Sequence, residues 1–126
     1  MPPISVVLAY QDPALGNSLA RAVEKLYLNL TTAKNTEEIR SAIVRLRAPL
    51  AIVDLEFVNL RELGELCREF PATAFVCTHR LADDTMWSQS LAMGAVDCCL
   101  ACDLPRILQT SDRYVAIKNS HAVPAA

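Results

Sequence analysis

A chain of 126 residues with 52% hydrophobic content is one domain's worth, long enough to bury a real core and too apolar for a disordered segment. Its 12 basic and 14 acidic residues are dispersed and leave a net charge of -2, so no basic block marks a direct nucleic-acid contact. No apolar run approaches the ~18–20 residues of a membrane span, and Met1-Pro2-Pro3 supplies no basic leader segment, so a cytoplasmic location is expected.

Residues 4–9 (Ile-Ser-Val-Val-Leu-Ala) form a near-continuous apolar strand that runs into Tyr10 and Gln11. Asp12-Pro13 reads as an N-cap followed by proline at the first helical position. Leu15, Leu19, Ala22, Val23 and Leu26 then recur at helical spacing. Residues 27–32 alternate as a second, weaker strand. Asn35 with Glu38 has the form of a capping box, opening a helix through Ile39, Ala42, Ile43 and Leu46 that ends before Pro49.

The third strand, Leu50-Ala51-Ile52-Val53-Asp54, is the stretch around which the chain is organised. Its apolar run is short and β-branched, as a fully buried strand is, and it ends in a carboxylate. Asn59 and Glu62 cap the next helix, with Leu60, Leu63, Leu66, Cys67 and Phe70 on its inner face and Pro71 as its stop. Residues 74–78 form a fourth strand ending at Thr78. Asp83 or Asp84 caps a fourth helix through Met93, with Gly94 as its C′ residue. Residues 96–100 form a fifth strand, Asp103 caps a last helix from Leu104 to about Lys118, and residues 120–126 are expected to be a flexible tail after one domain over 1–119.

Five alternating βα units with short links predict an α/β fold, a doubly wound parallel sheet with helices on both faces. In such sheets ligands sit at the carboxyl ends of the strands, which is where Asp54 and Thr78 fall. With this length and an aspartate closing the third strand, the chain resembles the receiver domain of two-component response regulators over nearly its whole length. The resemblance implies a flavodoxin-like strand order 2-1-3-4-5. It also implies Asp54 as phosphoacceptor, Thr78 as the hydroxyl contacting the phosphoryl group, and Gly94-Ala95-Val96-Asp97 as the Gly-Ala-x-Asp turn before the fifth strand.

Several family positions carry other residues. The acidic pair that holds Mg²⁺ is replaced by Tyr10 and Gln11, the lysine closing the fifth strand by Ala101, the following proline by Cys102, and the aromatic switch residue by Cys98. His79 stands where a small residue follows the hydroxyl. Phosphoryl transfer to a carboxylate requires the charge on the equatorial oxygens to be neutralised, the work of that metal and lysine. The resemblance therefore implies a degenerate receiver: no enzyme, no cofactor beyond weakly held Mg²⁺, phosphorylation at Asp54 impaired, and signalling through a histidine kinase or downstream regulator, with homodimerisation open.

The remaining features have plainer readings. An odd count of cysteines (Cys67, Cys77, Cys98, Cys99 and Cys102) argues against a secreted disulfide framework. Cys99-Leu100-Ala101-Cys102 has the spacing of a redox centre, which would make the chain a cysteine-based redox-sensing module, although strand cysteines usually serve as small hydrophobes. No second C-x-x-C supplies zinc ligands. His79 is either a base near Asp54 or a solvated loop residue, and Trp87 either a core anchor or an interaction hot spot on the helix 4–strand 5–helix 5 face. With only three glycines and none in a phosphate loop after the first strand, nucleotide or flavin binding is disfavoured.

Overall fold

The computed structural model describes residues 4–10, 12–25 and 29–122, with side chains to Tyr114. Five strands and five helices alternate: β1 (Ser5–Ala9), α1 (Pro13–Glu24), β2 (Asn29–Thr32), α2 (Thr36–Leu46), β3 (Leu50–Asp54), α3 (Leu60–Glu69), β4 (Ala74–His79), α4 (Asp84–Met93), β5 (Asp97–Leu100) and α5 (Leu104–Ala122). The sheet is parallel throughout in the order β2-β1-β3-β4-β5, the flavodoxin-like order expected.

Buried side chains divide by strand parity into two layers, as a two-faced sheet requires. Val6, Leu8, Leu50, Ile52 and Val76 pack with Leu19 and Val23 of α1 and Ile107 of α5. Val7, Ala51, Val53, Phe75 and Cys77 pack with Ile39 and Ile43 of α2 and Leu63 and Leu66 of α3, with Met86 of α4 at the margin. The central strand β3 is buried along its whole length, which carries Asp54 into the core's edge. No helix among the described residues is long and apolar enough to cross a membrane.

Asp12, Asn59 and Asp83 cap α1, α3 and α4 as predicted, and Asp103 accepts from Arg106 N at 3.3 Å ahead of α5. Asn59 and Glu62 form a full capping box. At α2 the box is incomplete: Asn35 accepts from Glu38 N, but the Glu38 carboxylate turns to Lys34 N at 3.1 Å rather than to Asn35 N. Boundaries shift modestly elsewhere. The predicted start of the second strand at Tyr27 and Leu28 lies outside the described residues, β4 extends one residue to His79, β5 begins at Asp97, and α5 runs past Lys118 to Ala122.

Candidate functional site

Parallel register assembles the site at the carboxyl edge of the sheet. Asp54 lies opposite Thr78, and Thr78 opposite Cys99. Ala9 lies opposite Val53, so the next residue on each chain, Tyr10 and Asp54, follow one another past the edge together. After Asp54 the chain folds back on itself: Phe57 and Val58 N–H both donate to the Asp54 carbonyl (2.9 and 3.0 Å), and Glu56 N–H donates to the carboxylate Oδ1 at 3.0 Å. Leu55 N–H ties the turn to the Thr78 carbonyl at 2.8 Å. Asp54 is thus held at 2% exposure and Thr78 is fully buried.

Tyr10 takes the first of the positions where the resemblance places an acid. Burial pushes its phenol up to about 12, partly opposed by the Thr78 hydroxyl and reinforced by the Asp54 charge and by Cys99. It is therefore a neutral phenol at physiological pH. The Tyr10 and Thr78 hydroxyls are close enough to influence one another, but neither makes a well-formed hydrogen bond with any described residue. Gln11, the second such position, lies outside the described residues. Ala101 is buried just past β5 and brings no charge; its N–H donates to the His79 carbonyl at 3.2 Å.

Three further groups line the mouth. Arg80 reaches Glu56 at 2.7 Å, so the carboxylate nearest to Asp54 in sequence already has a counter-charge. His79 Nδ1 accepts from Leu81 N–H at 3.0 Å, which leaves the ring proton on Nε2, 3.9 Å from Glu56. The ring is neither free in solvent nor available as a base through Nδ1. Among the described residues no three His, Cys, Asp or Glu side chains converge to hold a metal ion. Mg²⁺ demands near-octahedral hard-oxygen coordination. Among the described residues, one carboxylate beside a neutral phenol, with Glu56 committed to Arg80, does not fit it.

The cysteines are all free thiols and divide into two settings. Cys77 and Cys98 are register partners on the α3 side of the sheet, with Cys67 packed against the same layer; burial pushes both thiols up, reinforced at Cys77 by the neighbouring thiols and partly opposed at Cys98 by a Ser90 hydrogen bond. Cys99 lies on the other side, its Sγ 3.6 Å from the Asp97 carboxylate, and burial with that charge pushes it to about 12. Cys102 is exposed in the turn before α5. A redox C-x-x-C requires a depressed thiol pKa, and Cys99 has the opposite.

Asp97 carries more than its place in a turn motif suggested. Its carboxylate accepts from Cys98 N–H at 2.8 Å, Trp87 Nε1 at 3.2 Å, Thr110 Oγ1 at 3.0 Å and Arg106 Nη2 at 3.2 Å. Burial alone would raise its pKa, but Cys98 N–H, Thr110, Arg106 and Trp87 together hold it below the usual carboxylate range. One side chain thereby joins α4, β5 and α5. Arg106 and Thr110 are four residues apart on one face of α5, the only trace of this arrangement in the sequence. Trp87 is neither a core anchor nor free: it is 43% exposed, fixed by its indole N–H, with Leu100 at 42% exposure on neighbouring β5.

No protein-family model matches the sequence, and no curated protein is a significant match. Solved structures do match in shape. A response regulator from Thermotoga maritima superposes with a TM-score of 0.76 at 24% identity, covering 88% of this chain and 99% of that one. A CheY-like response regulator receiver domain protein from Methanospirillum hungatei gives 0.80 at 15% identity, covering 95% and 99%. A response regulator protein from Burkholderia pseudomallei, solved with a phosphorylated aspartic acid, a calcium ion and citrate, gives 0.75 at 17% identity, covering 95% and 73%. The chain has the fold of a response regulator receiver domain.

Proposed function

We propose that the chain is a receiver-like signalling module that acts through protein–protein contacts in a phosphorelay, with phosphoryl transfer to Asp54 impaired. The observation that carries this reading is the side chain beside Asp54: a half-buried, neutral Tyr10 where a metal-binding carboxylate is needed. Ala101 likewise supplies no cation at the end of β5. Without metal or lysine, charge on the transferring phosphoryl group stays unneutralised, and each missing contact is worth about 3 kcal/mol of transition-state stabilisation.

The output surface in this reading is the face built on Asp97, where Trp87 and Leu100 are exposed beside Arg106. A cytoplasmic histidine kinase or a downstream regulator is the partner, or a second copy of the chain. Incubation with acetyl phosphate and Mg²⁺, followed by intact-mass spectrometry, tests the reading. The expected product is unmodified chain, indistinguishable from Asp54→Asn. Stoichiometric phosphorylation that Asp54→Asn abolishes would overturn the proposal.

A further inference from the structure

We propose that Tyr10 is the specificity-determining residue of the Asp54 site: its ring and hydroxyl take the place beside Asp54 and Thr78 that a metal ligand would occupy, closing the site to divalent cations from within. The inference rests on the receiver-like reading and deepens it, by assigning the loss of metal to one side chain rather than to a general erosion of the site.

Three observations converge on Tyr10. The register of β1 and β3 delivers it to the edge together with Asp54, and it interacts with both Asp54 and Thr78. Helix α1 packs closely against it: a Cβ on Gly16 would lie 3.2 Å from Tyr10 Cβ, tighter than side chains ordinarily pack, and in ordinary contact with Cγ at 3.7 Å. Gly16 thereby lets the backbone and Cβ of residue 10 lie close against α1, which fixes where the Tyr10 side chain begins. The third observation is polar. Two buried hydroxyl oxygens, on Tyr10 and Thr78, lack well-formed hydrogen bonds among the described residues. Buried polar atoms ordinarily find partners, and a bound water would satisfy two hydroxyls, whereas Mg²⁺ needs several hard, preferably anionic oxygens that a phenol and a threonine hydroxyl do not supply.

The test uses Mn²⁺ alone on the full chain, read by paramagnetic broadening of amide resonances. The wild type is expected to show no saturable broadening at Asp54 and Thr78. Tyr10→Asp, which sets a second carboxylate beside the first, is expected to show saturable broadening there, with affinity gained by about tenfold or more. Adding Asp54→Asn to that variant should abolish it. Wild-type binding as tight as the variant's, or a folded Tyr10→Asp chain without localised broadening, overturns the assignment. Should Tyr10→Asp not fold, the wild type decides: nuclear Overhauser contacts between the Tyr10 ring and the Thr78 methyl support the assignment, and their absence overturns it. A Tyr10→Asp chain that binds Mn²⁺ yet accepts no phosphoryl group supports Tyr10's role and agrees with the missing lysine at Ala101, whereas stoichiometric phosphorylation of a wild type that binds no Mn²⁺ leaves Tyr10's role standing and counts against the impaired-receiver reading alone.

Discussion

Replacing Gly94 with alanine is expected to lower unfolding free energy by about 2–5 kcal/mol, read as a reduced urea midpoint with an unchanged slope. Gly94 ends α4 at φ 114°, a backbone conformation in which a side chain is strained, and its N–H closes the helix on Leu91 and Ser90 carbonyls. Strain is only half of the effect. A Cβ at this position would lie 2.8 Å from Cys67 Cβ and 3.2 Å from its Sγ, so α3 and α4 would have to separate. The clash falls on the Cβ of Cys67, which cannot rotate away, and overpacking of this kind adds to the dihedral cost. A companion Cys67→Ala substitution relieves only the Sγ contact, so most of the loss should persist in the double variant.

The second large effect is expected at Asp97. Asp97→Ala removes the acceptor for Cys98 N–H, Trp87 Nε1, Thr110 Oγ1 and Arg106 at once, and is expected to cost about 2–3 kcal/mol. The Arg106 contribution is the smallest part, because that side chain is half exposed. Trp87 fluorescence should report the change, since its indole N–H loses the Asp97 carboxylate as its acceptor.

The same residue sets a pH signature. Its folded pKa is depressed, so the stability it supplies is fully present above the unfolded value of about 3.9 and is lost as pH falls through the folded value. Wild-type unfolding free energy should therefore drop more steeply below about pH 4 than that of Asp97→Asn. Parallel acid profiles for the two chains would contradict the assignment.

Much of this architecture is legible from residues alone, because local and global demands agree. The runs in β1, β3 and β4 are apolar at consecutive positions, as strands buried on both faces must be, and Asp12, Asn59 and Asp83 announce helices one residue ahead of them. Asp54 and Thr78 could be paired because neighbouring parallel strands bring their carboxyl ends to the same edge, although β4 runs one residue further, to His79. Where sequence reasoning fell short, the determining contact lay between elements. Asp97 binds groups 10 positions before it and 13 after it, a set that no local window contains.

Glu38 shows a smaller version of the same limit. Its spacing from Asn35 satisfies the capping-box pattern, yet Lys34 N–H, one residue further back, competes for the carboxylate and wins. Tyr10 could be read as a missing acid but not as a packed side chain, since the groups around it, Gly16, Asp54 and Thr78, lie on three different elements. The C-x-x-C spacing drew notice to Cys99 and Cys102, whereas the thiols that share one core layer are Cys67, Cys77 and Cys98, brought together by sheet register and by α3 packing.

The most direct test of an inactive acceptor site is a titration with beryllofluoride in the presence of Mg²⁺, a stable mimic of the acyl phosphate, followed by amide chemical shifts at Asp54 and Thr78 and by Trp87 fluorescence. A closed, metal-poor site predicts no saturable change in either signal, and the same flat response from Asp54→Asn. Saturable shifts centred on Asp54 and Thr78 that vanish in Asp54→Asn would contradict the account, and would mean that Asp54 accepts a phosphoryl group despite Tyr10 and Ala101.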